Sequence, residues 1–209
     1  MTNTVRRALL VIDVQNDYIG GNFPIEYPPV QESLAKIDHA MEVAKTAAIP
    51  IVAVKHIAPA ASPILATASP GGELHEIVRS RGWNLLIGKE RASAFDGTEL
   101  ADWLKQQNIN TLTFVGYMTH NCVFQGAIDA FNRGFSVEVL ADATGSLPYK
   151  NKAGEASAEE MHRSFLVVLQ SGFAAVMSSD EWIKNVLDGS LSERDNIYIS
   201  NLRARKMQV

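Results

Sequence analysis

Six short apolar runs place the strongest limit on what this chain can fold into. Most are apolar at every position rather than at alternate ones, and they recur along the whole sequence, at 8–12, 51–54, 85–87, 112–115, 137–140 and 174–177. A strand that is apolar on both faces is typical of a parallel sheet covered by helices on each side. The runs therefore predict six buried strands at the centre of the molecule.

Segments with apolar residues at helical spacing separate these runs. Three such segments cover residues 30–48, 98–107 and 121–132. Two further helices are predicted to begin at Ser157 and Ser178, because Glu160 and Glu181 follow three residues later and complete the pattern of a capping box. Strands that alternate with helices predict an α/β fold, a doubly wound three-layer sandwich with helices on both faces of the sheet.

Length, charge and cysteine content exclude several classes of protein. A chain of 209 residues with 46% apolar and 20% charged residues is ordinary for one globular domain. Its net charge of −4 gives no reason to expect nucleic acid or an anionic membrane as a partner. No apolar run approaches the roughly 18 residues of a membrane span. A single cysteine fits a reducing compartment. We therefore expect a cytoplasmic protein that acts on a small molecule.

Residues that can carry chemistry follow several of the predicted strands. Asp13 follows the first strand, His56 the second and Lys89 the third, and Cys122 lies at the start of the helix after the fourth. Ligands of open α/β sheets bind beyond the carboxyl ends of the strands, so these side chains are expected at one site. A cysteine in the first turn of a helix, near a lysine, is expected to have a lowered pKa, which makes its thiolate a nucleophile.

Two interpretations of Cys122 stay open on this pattern alone. A lone cysteine is commonly a small buried apolar side chain, and a thiol of low pKa is also a target for oxidation. The chain is therefore either an enzyme or a non-catalytic, redox-responsive protein that binds a small ligand. Asp13 and Lys89 favour the enzyme, because packing requires neither. The sequence lacks the glycine patterns of dinucleotide-binding folds and P-loops and the G-x-S-x-G pattern of serine hydrolases.

Two segments are predicted to be irregular. Residues 58–72 are rich in Ala, Ser and Pro, and they form either a floppy connector or a lid over the site. The tail 191–209 lies beyond the domain predicted for residues 1–190. It is either a packing arm, which could reach a neighbouring subunit, or a frayed end.

Three stretches together resemble a known family. ALLVIDVQNDY from Ala8, IGKERASAFDGTEL from Ile87 and VGYMTHNCV from Val115 resemble the isochorismatase-like cysteine hydrolases, which include nicotinamidases, carbamoylsarcosine amidohydrolase, isochorismatases and streptothricin hydrolases. The resemblance runs from about Ala8 to Leu187. It implies a six-stranded parallel sheet of order 3-2-1-4-5-6 and assembly into homodimers or homotetramers.

The resemblance also implies a set of site residues. It implies a catalytic triad of Asp13, Lys89 and Cys122, in which Asp13 moves the proton, Lys89 holds the charges and Cys122 is the nucleophile. It implies a cis peptide bond between Tyr117 and Met118, which turns the N–H of Met118 toward the site, where it forms an oxyanion hole with the N–H of Cys122.

The walls of the substrate pocket are less defined by the sequence. Tyr18, His56 and Tyr117 are the candidates, and the two tyrosines could equally belong to the core.

The sequence departs from family patterns at two positions near the site. Nicotinamidases carry a metal-binding Asp-x-His after the second strand. Here Lys55 and His56 stand without the Asp, so we expect no metal and no other cofactor. An acidic residue commonly follows the Thr of the third motif, and here it is His120.

Isochorismatases proper lack the nucleophilic cysteine, so Cys122 favours acyl transfer. The prediction is a cofactor-free amidohydrolase that cleaves a C–N bond of a small molecule through a thioester. A family member with a non-amide substrate is the alternative.

Overall fold

The computed structural model describes residues 4–207, in which strands alternate with helices. The strands are β1 (Arg7–Ile12), β2 (Ile51–His56), β3 (Leu85–Lys89), β4 (Thr111–Tyr117), β5 (Ser136–Gly145), β6 (Tyr149–Asn151), β7 (Gly154–Ala156) and β8 (Ala175–Met177). The helices are α1 (Asn16–Ile19), α2 (Val30–Thr46), α3 (Glu76–Arg81), α4 (Leu100–Gln106), α5 (Phe124–Asn132), α6 (Ala158–Gln170), α7 (Ser179–Asp188) and α8 (Ile197–Ala204). A π-helical turn, Thr119–Val123, precedes α5.

Six of the strands form one parallel sheet, in the order β3-β2-β1-β4-β5-β8. Counted among the strands of this sheet alone, the order is 3-2-1-4-5-6, so the predicted α/β fold and its sheet order are confirmed. The last strand is β8 because β6 and β7 intervene and pair with each other as a separate antiparallel hairpin. The apolar pattern does not predict this hairpin, since its two strands are short and mostly exposed.

Strand β1 shows why the sheet is buried on both faces. All of its residues are buried. Leu9 and Val11 belong to a core cluster with Ile37 of α2, whereas Leu10 belongs to the opposite cluster with Leu104 of α4. Because successive side chains of a strand point to opposite faces, a run that is apolar at every position supplies both helix layers with a core.

The helices lie within a few residues of their predicted positions. The capping box at Ser157 is complete, because its hydroxyl accepts the N–H of Glu160 and the Glu160 carboxylate accepts the N–H of Ser157. At Ser178 only half of the predicted box forms. Ser178 accepts the N–H of Glu181, but the Glu181 carboxylate accepts the hydroxyl of Ser192 instead.

The loop 58–72 is irregular, as predicted, but it is tied to the domain. The side chain of Gln15 donates to the carbonyl of Gly72 at 2.7 Å, and the carboxylate of Asp17 accepts the N–H of Leu65 at 2.6 Å. Leu65 is itself buried in the core. The loop is therefore packed rather than floppy, and its action as a lid stays a prediction.

The tail after α7 packs at first on its own domain. The N–H of Asp195 donates to the carbonyl of Gln170 at 2.9 Å, and the guanidinium of Arg194 lies 4.9 Å from the centre of the Phe131 ring. Helix α8 follows with exposed apolar side chains. Contact with a neighbouring subunit, and the division of the chain at residue 190, stay predictions. None of the described helices combines the length and the apolar character needed to cross a membrane.

Candidate active site

The structure brings Asp13, Lys89 and Cys122 together at the carboxyl edge of the sheet. Lys89 Nζ lies 2.7 Å from Asp13 Oδ2 and 3.3 Å from Cys122 Sγ. The side chain of Lys89 reaches from β3 past β2 to the ends of β1 and β4. Asp13, Lys89 and Cys122 are 0%, 2% and 4% exposed. A lysine is rarely buried this fully without a partner of opposite charge, so the three side chains form one coupled polar cluster.

Asp13 directly follows β1, and its backbone lies in the left-handed region, with φ of 49°. Its N–H donates to Val54 O at 3.0 Å, and its carbonyl accepts the N–H of Gln15 at 2.8 Å. Aspartate tolerates this conformation better than most residues. The carboxylate is ion-paired with Lys89, yet neither of its oxygens receives a well-directed hydrogen bond from another described residue. It therefore keeps acceptor sites that a further donor could use.

Cys122 lies in the π-helical turn and not, as predicted, in the first turn of the α-helix. The N–H of Val123 donates to the carbonyl of Met118 at 3.2 Å, five residues back, and α5 begins only at Phe124. π-Helical turns are rare and are found frequently at functional sites. The periodicity of apolar residues does not reveal such a turn, because it inserts a single residue into an otherwise helical pattern.

Burial raises the pKa of the Cys122 thiol to about 12, with a further rise from the charge of Asp13 and an opposing effect of Lys89. The expectation of a low thiol pKa is therefore wrong, because desolvation outweighs the lysine. Burial by itself lowers the pKa of Lys89, but the charges of Asp13 and Cys122 overcome this, and the pKa lies above its ordinary value. At rest the cluster holds a charged lysine and a protonated thiol.

The backbone at Met118 joins β4 to the π-helical turn. The peptide bond between Tyr117 and Met118 is cis, as the resemblance implies. The carbonyl of Met118 accepts the N–H groups of Asn121 and Val123, whereas the N–H of Met118 donates to no residue within 4–207. This N–H is therefore available to an added acceptor.

His56 lies beside Lys89 on the neighbouring strand. The two residues are partners in the register of β2 and β3, and His56 Nδ1 lies 3.5 Å from Lys89 Nζ. The side chain of Gln15 accepts the N–H of His56 at 2.9 Å and donates to its carbonyl at 3.0 Å. Burial, and then the charge of Lys89, lower the pKa of His56. A neutral imidazole is thus held at the edge of the cluster at pH 7.

The two tyrosines predicted for the pocket have different surroundings. The pKa of Tyr18 is raised by burial and then by the charges of Asp13 and Cys122, so its hydroxyl lies within the electrostatic reach of the cluster. The hydroxyl of Tyr117 instead pairs with Ser33 Oγ of α2 at 2.9 Å, and the residue is fully buried. The Tyr117 ring therefore belongs to the core, 5.8 Å from the ring of Tyr18, rather than to the pocket wall.

Comparison with known proteins identifies the family. The model of the isochorismatase domain matches residues 7–181. The chain belongs to the isochorismatase family. An isochorismatase-like protein of Burkholderia xenovorans LB400, known from a crystal structure, is 55% identical, with 97% of this chain and 98% of that chain covered and a TM-score of 0.96. The isochorismatase family protein YddQ of Bacillus subtilis is 27% identical over 85% of this chain and 98% of its own length. Maleamate amidohydrolase of Pseudomonas putida is 26% identical over 66% of this chain and 71% of its own length.

Sequence reasoning missed one aromatic side chain beside the site of this isochorismatase-family hydrolase. Burial, and then the charge of Cys122, raise the pKa of Tyr149, and its Oη lies 4.0 Å from Met118 Sδ. Tyr149 is 37% exposed, so part of its side chain meets solvent while its hydroxyl lies beside Met118. Only the turn residues Asn151 and Gly154 could have indicated the hairpin that carries it, because exposed three-residue strands show no apolar alternation.

Lys55 and His56, the last two residues of β2, occupy the place where nicotinamidases of this family carry a metal-binding pattern. Lys55 pairs with the carboxylate of Glu73 at 2.8 Å, and His56 contacts Lys89. Within residues 4–207 no group of three or more His, Cys, Asp or Glu side chains is arranged to hold a metal ion. The donor set at this edge of the sheet therefore does not fit a metal centre.

Proposed function

We propose that this hydrolase is a cofactor-free cysteine amidohydrolase, which cleaves a C–N amide-type bond of a small molecule through a thioester on Cys122. The proposal rests on the position of the buried Lys89 Nζ, which lies 2.7 Å from Asp13 Oδ2 and 3.3 Å from Cys122 Sγ. A carboxylate and a thiol that share one lysine can exchange a proton without leaving two anions side by side. A relative that is named an amidohydrolase supports the choice of bond.

In the acylation half of the reaction, Asp13 accepts the thiol proton while Cys122 Sγ attacks the acyl carbon. Because the thiol pKa is about 12, the proton leaves as the S–C bond forms, and no thiolate accumulates beforehand. Lys89 stays charged and stabilises whichever of its two partners is anionic. The N–H groups of Met118 and Cys122 hold the tetrahedral oxyanion, and one such donor is worth about 3 kcal/mol in acyl-transfer enzymes.

Collapse of the tetrahedral intermediate breaks the C–N bond. Asp13 returns the proton to the departing nitrogen, which leaves as ammonia or an amine, and the acyl group stays on Sγ as a thioester. In the second half, Asp13 accepts a proton from water as the water oxygen attacks the thioester carbon. The acid is released, and Cys122 regains its proton.

The enclosure of the cluster favours a small substrate. The triad residues are buried, and the partly exposed Tyr149 lies beside Met118. Tyr18 and His56 complete the surroundings of the cluster, as expected for a pocket wall. We place the entry of the substrate beside Tyr149, since the other neighbours of the cluster belong to the core or to the sheet.

One feature counts against the redox-responsive alternative. Burial raises the pKa of the Cys122 thiol to about 12. Oxidation proceeds through the thiolate, so without a base such as Asp13 to take the proton this thiol is a poor target. A family member that cleaves a bond other than an amide remains the competing proposal, and the substrate screen separates the two.

The test is a screen of small amides, ureides and lactams for release of ammonia or amine, with any substrate carried into the variants Cys122→Ala and Cys122→Ser. We expect both variants to lose turnover and to unfold at the same urea concentration as the wild type within error. Rapid quenching followed by mass spectrometry should show an acyl adduct on the wild type alone, and a chelator should leave the rate unchanged. A Cys122→Ala variant of near-normal activity, or hydrolysis confined to non-amide substrates, would contradict the proposal.

A further inference from the structure

His120 presents a buried ring nitrogen that meets no partner in the protein. It lies in the π-helical turn, two residues before Cys122, and is 7% exposed. Its Nδ1 lies 2.9 Å from Ser146 Oγ, whereas its Nε2 is buried without a hydrogen-bonding atom from any described residue. Leaving such an atom unsatisfied costs free energy, because the hydrogen bond that it made to water in the unfolded chain is not replaced. A group that is absent from the free protein could recover that cost by binding there.

The few unsatisfied buried side-chain atoms of the described residues belong to two residues, which follow the neighbouring strands β1 and β4. Among the side chains of residues 4–207, the buried nitrogen and oxygen atoms without a well-directed hydrogen bond are Nε2 of His120 and the two carboxylate oxygens of Asp13, of which Oδ2 is ion-paired with Lys89. The oxygens belong to the group that the proposed reaction uses to move a proton. Both residues therefore keep unused hydrogen-bonding capacity at the carboxyl edge of the sheet.

His162 shows that a buried histidine in this layer can be fully paired. Its Nδ1 lies 2.9 Å from Thr119 Oγ1, the backbone of Ala141 lies close enough to raise its pKa, and no atom of its ring is buried without a partner. His162 and His120 come from neighbouring elements and are both buried. Packing of the layer thus accounts for His162 but not for the free nitrogen of His120.

The surroundings of His120 indicate what kind of group fits. Its ring meets Tyr149 edge to face at 5.0 Å, and Phe165 at 5.9 Å. Burial lowers the pKa of His120 to about 4, so the imidazole is neutral at pH 7 and offers Nε2 without a charge. Lys89 is already paired with Asp13, so a carboxylate on the ligand would find no free partner in that lysine.

We propose that His120 is a substrate-binding residue, whose Nε2 forms a hydrogen bond with an uncharged polar group on the acyl portion of the substrate. Tyr149, which touches both His120 and Met118, packs against the same portion. The substrate class is then a small neutral amide that carries a second neutral polar group, such as a carboxamide or a ureide. This inference rests on the proposed function, since it deepens the account of the same site.

Alkylation of Cys122, the single cysteine of the chain, tests the inference without a known substrate. Iodoacetamide and iodoethane both transfer a two-carbon group to Sγ with loss of iodide, and only iodoacetamide carries a neutral carboxamide. His120→Phe keeps an aromatic ring against Tyr149 and Phe165 but deletes Nε2. We expect the ratio of the iodoacetamide rate to the iodoethane rate to fall at least about fivefold in this variant. The matched control is His162→Phe, which should keep the wild-type ratio.

A charged reagent gives a further comparison. Once each rate is divided by the rate of the same reagent with glutathione, the wild type should react more slowly with iodoacetate than with iodoacetamide.

A second measurement needs no variant. In wild-type protein labelled with ¹⁵N-histidine, the Nε2 signal of His120 should differ between the S-carboxamidomethyl and the S-ethyl adducts of Cys122, while the signals of His162 stay the same. An unchanged rate ratio in His120→Phe, or an identical Nε2 signal in both adducts, overturns the role of His120. Failure of the proposed function would show separately, as the absence of an acyl adduct with every amide in the screen.

Discussion

At the scale of single residues, Lys89 is the side chain on which the proposed chemistry depends most. A carboxylate and a thiolate in contact would repel each other, so that one of them would hold a proton permanently. Lys89 contacts both and is itself buried. Its charge is what allows either partner to become the anion.

Replacement of Lys89 by Met keeps most of the stem and deletes the charge. Because Lys89 opposes the rise of the Cys122 pKa, we expect the thiol pKa to increase further and the acylation rate to fall at least about tenfold, or 1.4 kcal/mol. Lys89→Arg should restore little activity, since a planar guanidinium does not replace a point charge. The measurements are steady-state kinetics and the rate of alkylation by iodoacetamide from pH 7 to 10.

Lys55→Met is the matched control, because Lys55 lies on the neighbouring strand and pairs with Glu73 away from the cluster. It should alkylate and turn over like the wild type. If Lys89→Met behaved in the same way as this control, Lys89 would have only a structural role, and the triad would reduce to Asp13 and Cys122.

The positions of these residues could be predicted from the sequence, but their electrostatics could not. Asp13 and Lys89 end apolar runs, and parallel strands bring such ends to one edge. The thiol pKa depends on how completely Cys122 is desolvated, which is set by chain segments far away in sequence. For the same reason the sequence could not assign Tyr117 to the core, since its partner Ser33 lies on α2.

At the scale of elements, the site depends on how closely β1 and β4 approach. Gly116 pairs with Ile12 in the register of these strands, one residue before Asp13. Gly116 has φ of +104°, and a Cβ there would lie 2.1 Å from the carbonyl oxygen of Ile12. A side chain at this position would therefore push apart the two strands that carry Asp13 and Cys122.

We expect Gly116→Ala to lower the free energy of unfolding by more than about 3 kcal/mol, from backbone strain and steric overlap together. Gly134→Ala is the matched control, because Gly134 also has positive φ, of +88°, but a Cβ there would meet nothing within 4 Å. That variant should lose about 1 kcal/mol. Urea unfolding of both variants gives the comparison, and equal losses would show that the contact of β1 with β4 is not the cause.

The elements that the sequence did and did not predict differ in how much apolar surface they bury. The strands of the sheet and the helices α2, α5 and α6 bury continuous or periodic apolar residues, which the sequence displays. The hairpin of β6 and β7 and the short helix α3 bury little, so their segments carry no such pattern. This is why Tyr149, which the hairpin brings to the site, escapes prediction.

At the scale of the whole molecule, stability should depend on pH through the buried histidines. Burial lowers the pKa of His120 and His162 to about 4, and it also lowers the pKa values of His56 and His75. The unfolded chain takes up protons near pH 6.5, before the folded protein does. The free energy of unfolding should therefore be nearly constant between about pH 7 and pH 8 and should fall as the pH drops from 6.5 toward 4.

Urea unfolding at pH values from 8 to 4.5 measures this dependence. His162→Phe removes one of the contributing groups and should make the fall shallower, whatever its effect on stability at pH 8. Stability that stayed level or rose on acidification over this range would contradict the neutral state of these histidines.

The buried ion pair of Lys89 and Asp13 has a consequence for how the reaction responds to the medium. When the thiol proton passes to Asp13 and the S–C bond forms, the carboxylate becomes neutral as the substrate oxygen becomes anionic, and the cluster together with its substrate keeps the same net charge throughout. No new ion forms in the interior, because one negative charge moves a short distance while the ammonium of Lys89 stays in place. Dissolved ions screen charges that face water and act weakly on enclosed pairs. The acylation step should therefore proceed at nearly the same rate in dilute and in concentrated salt.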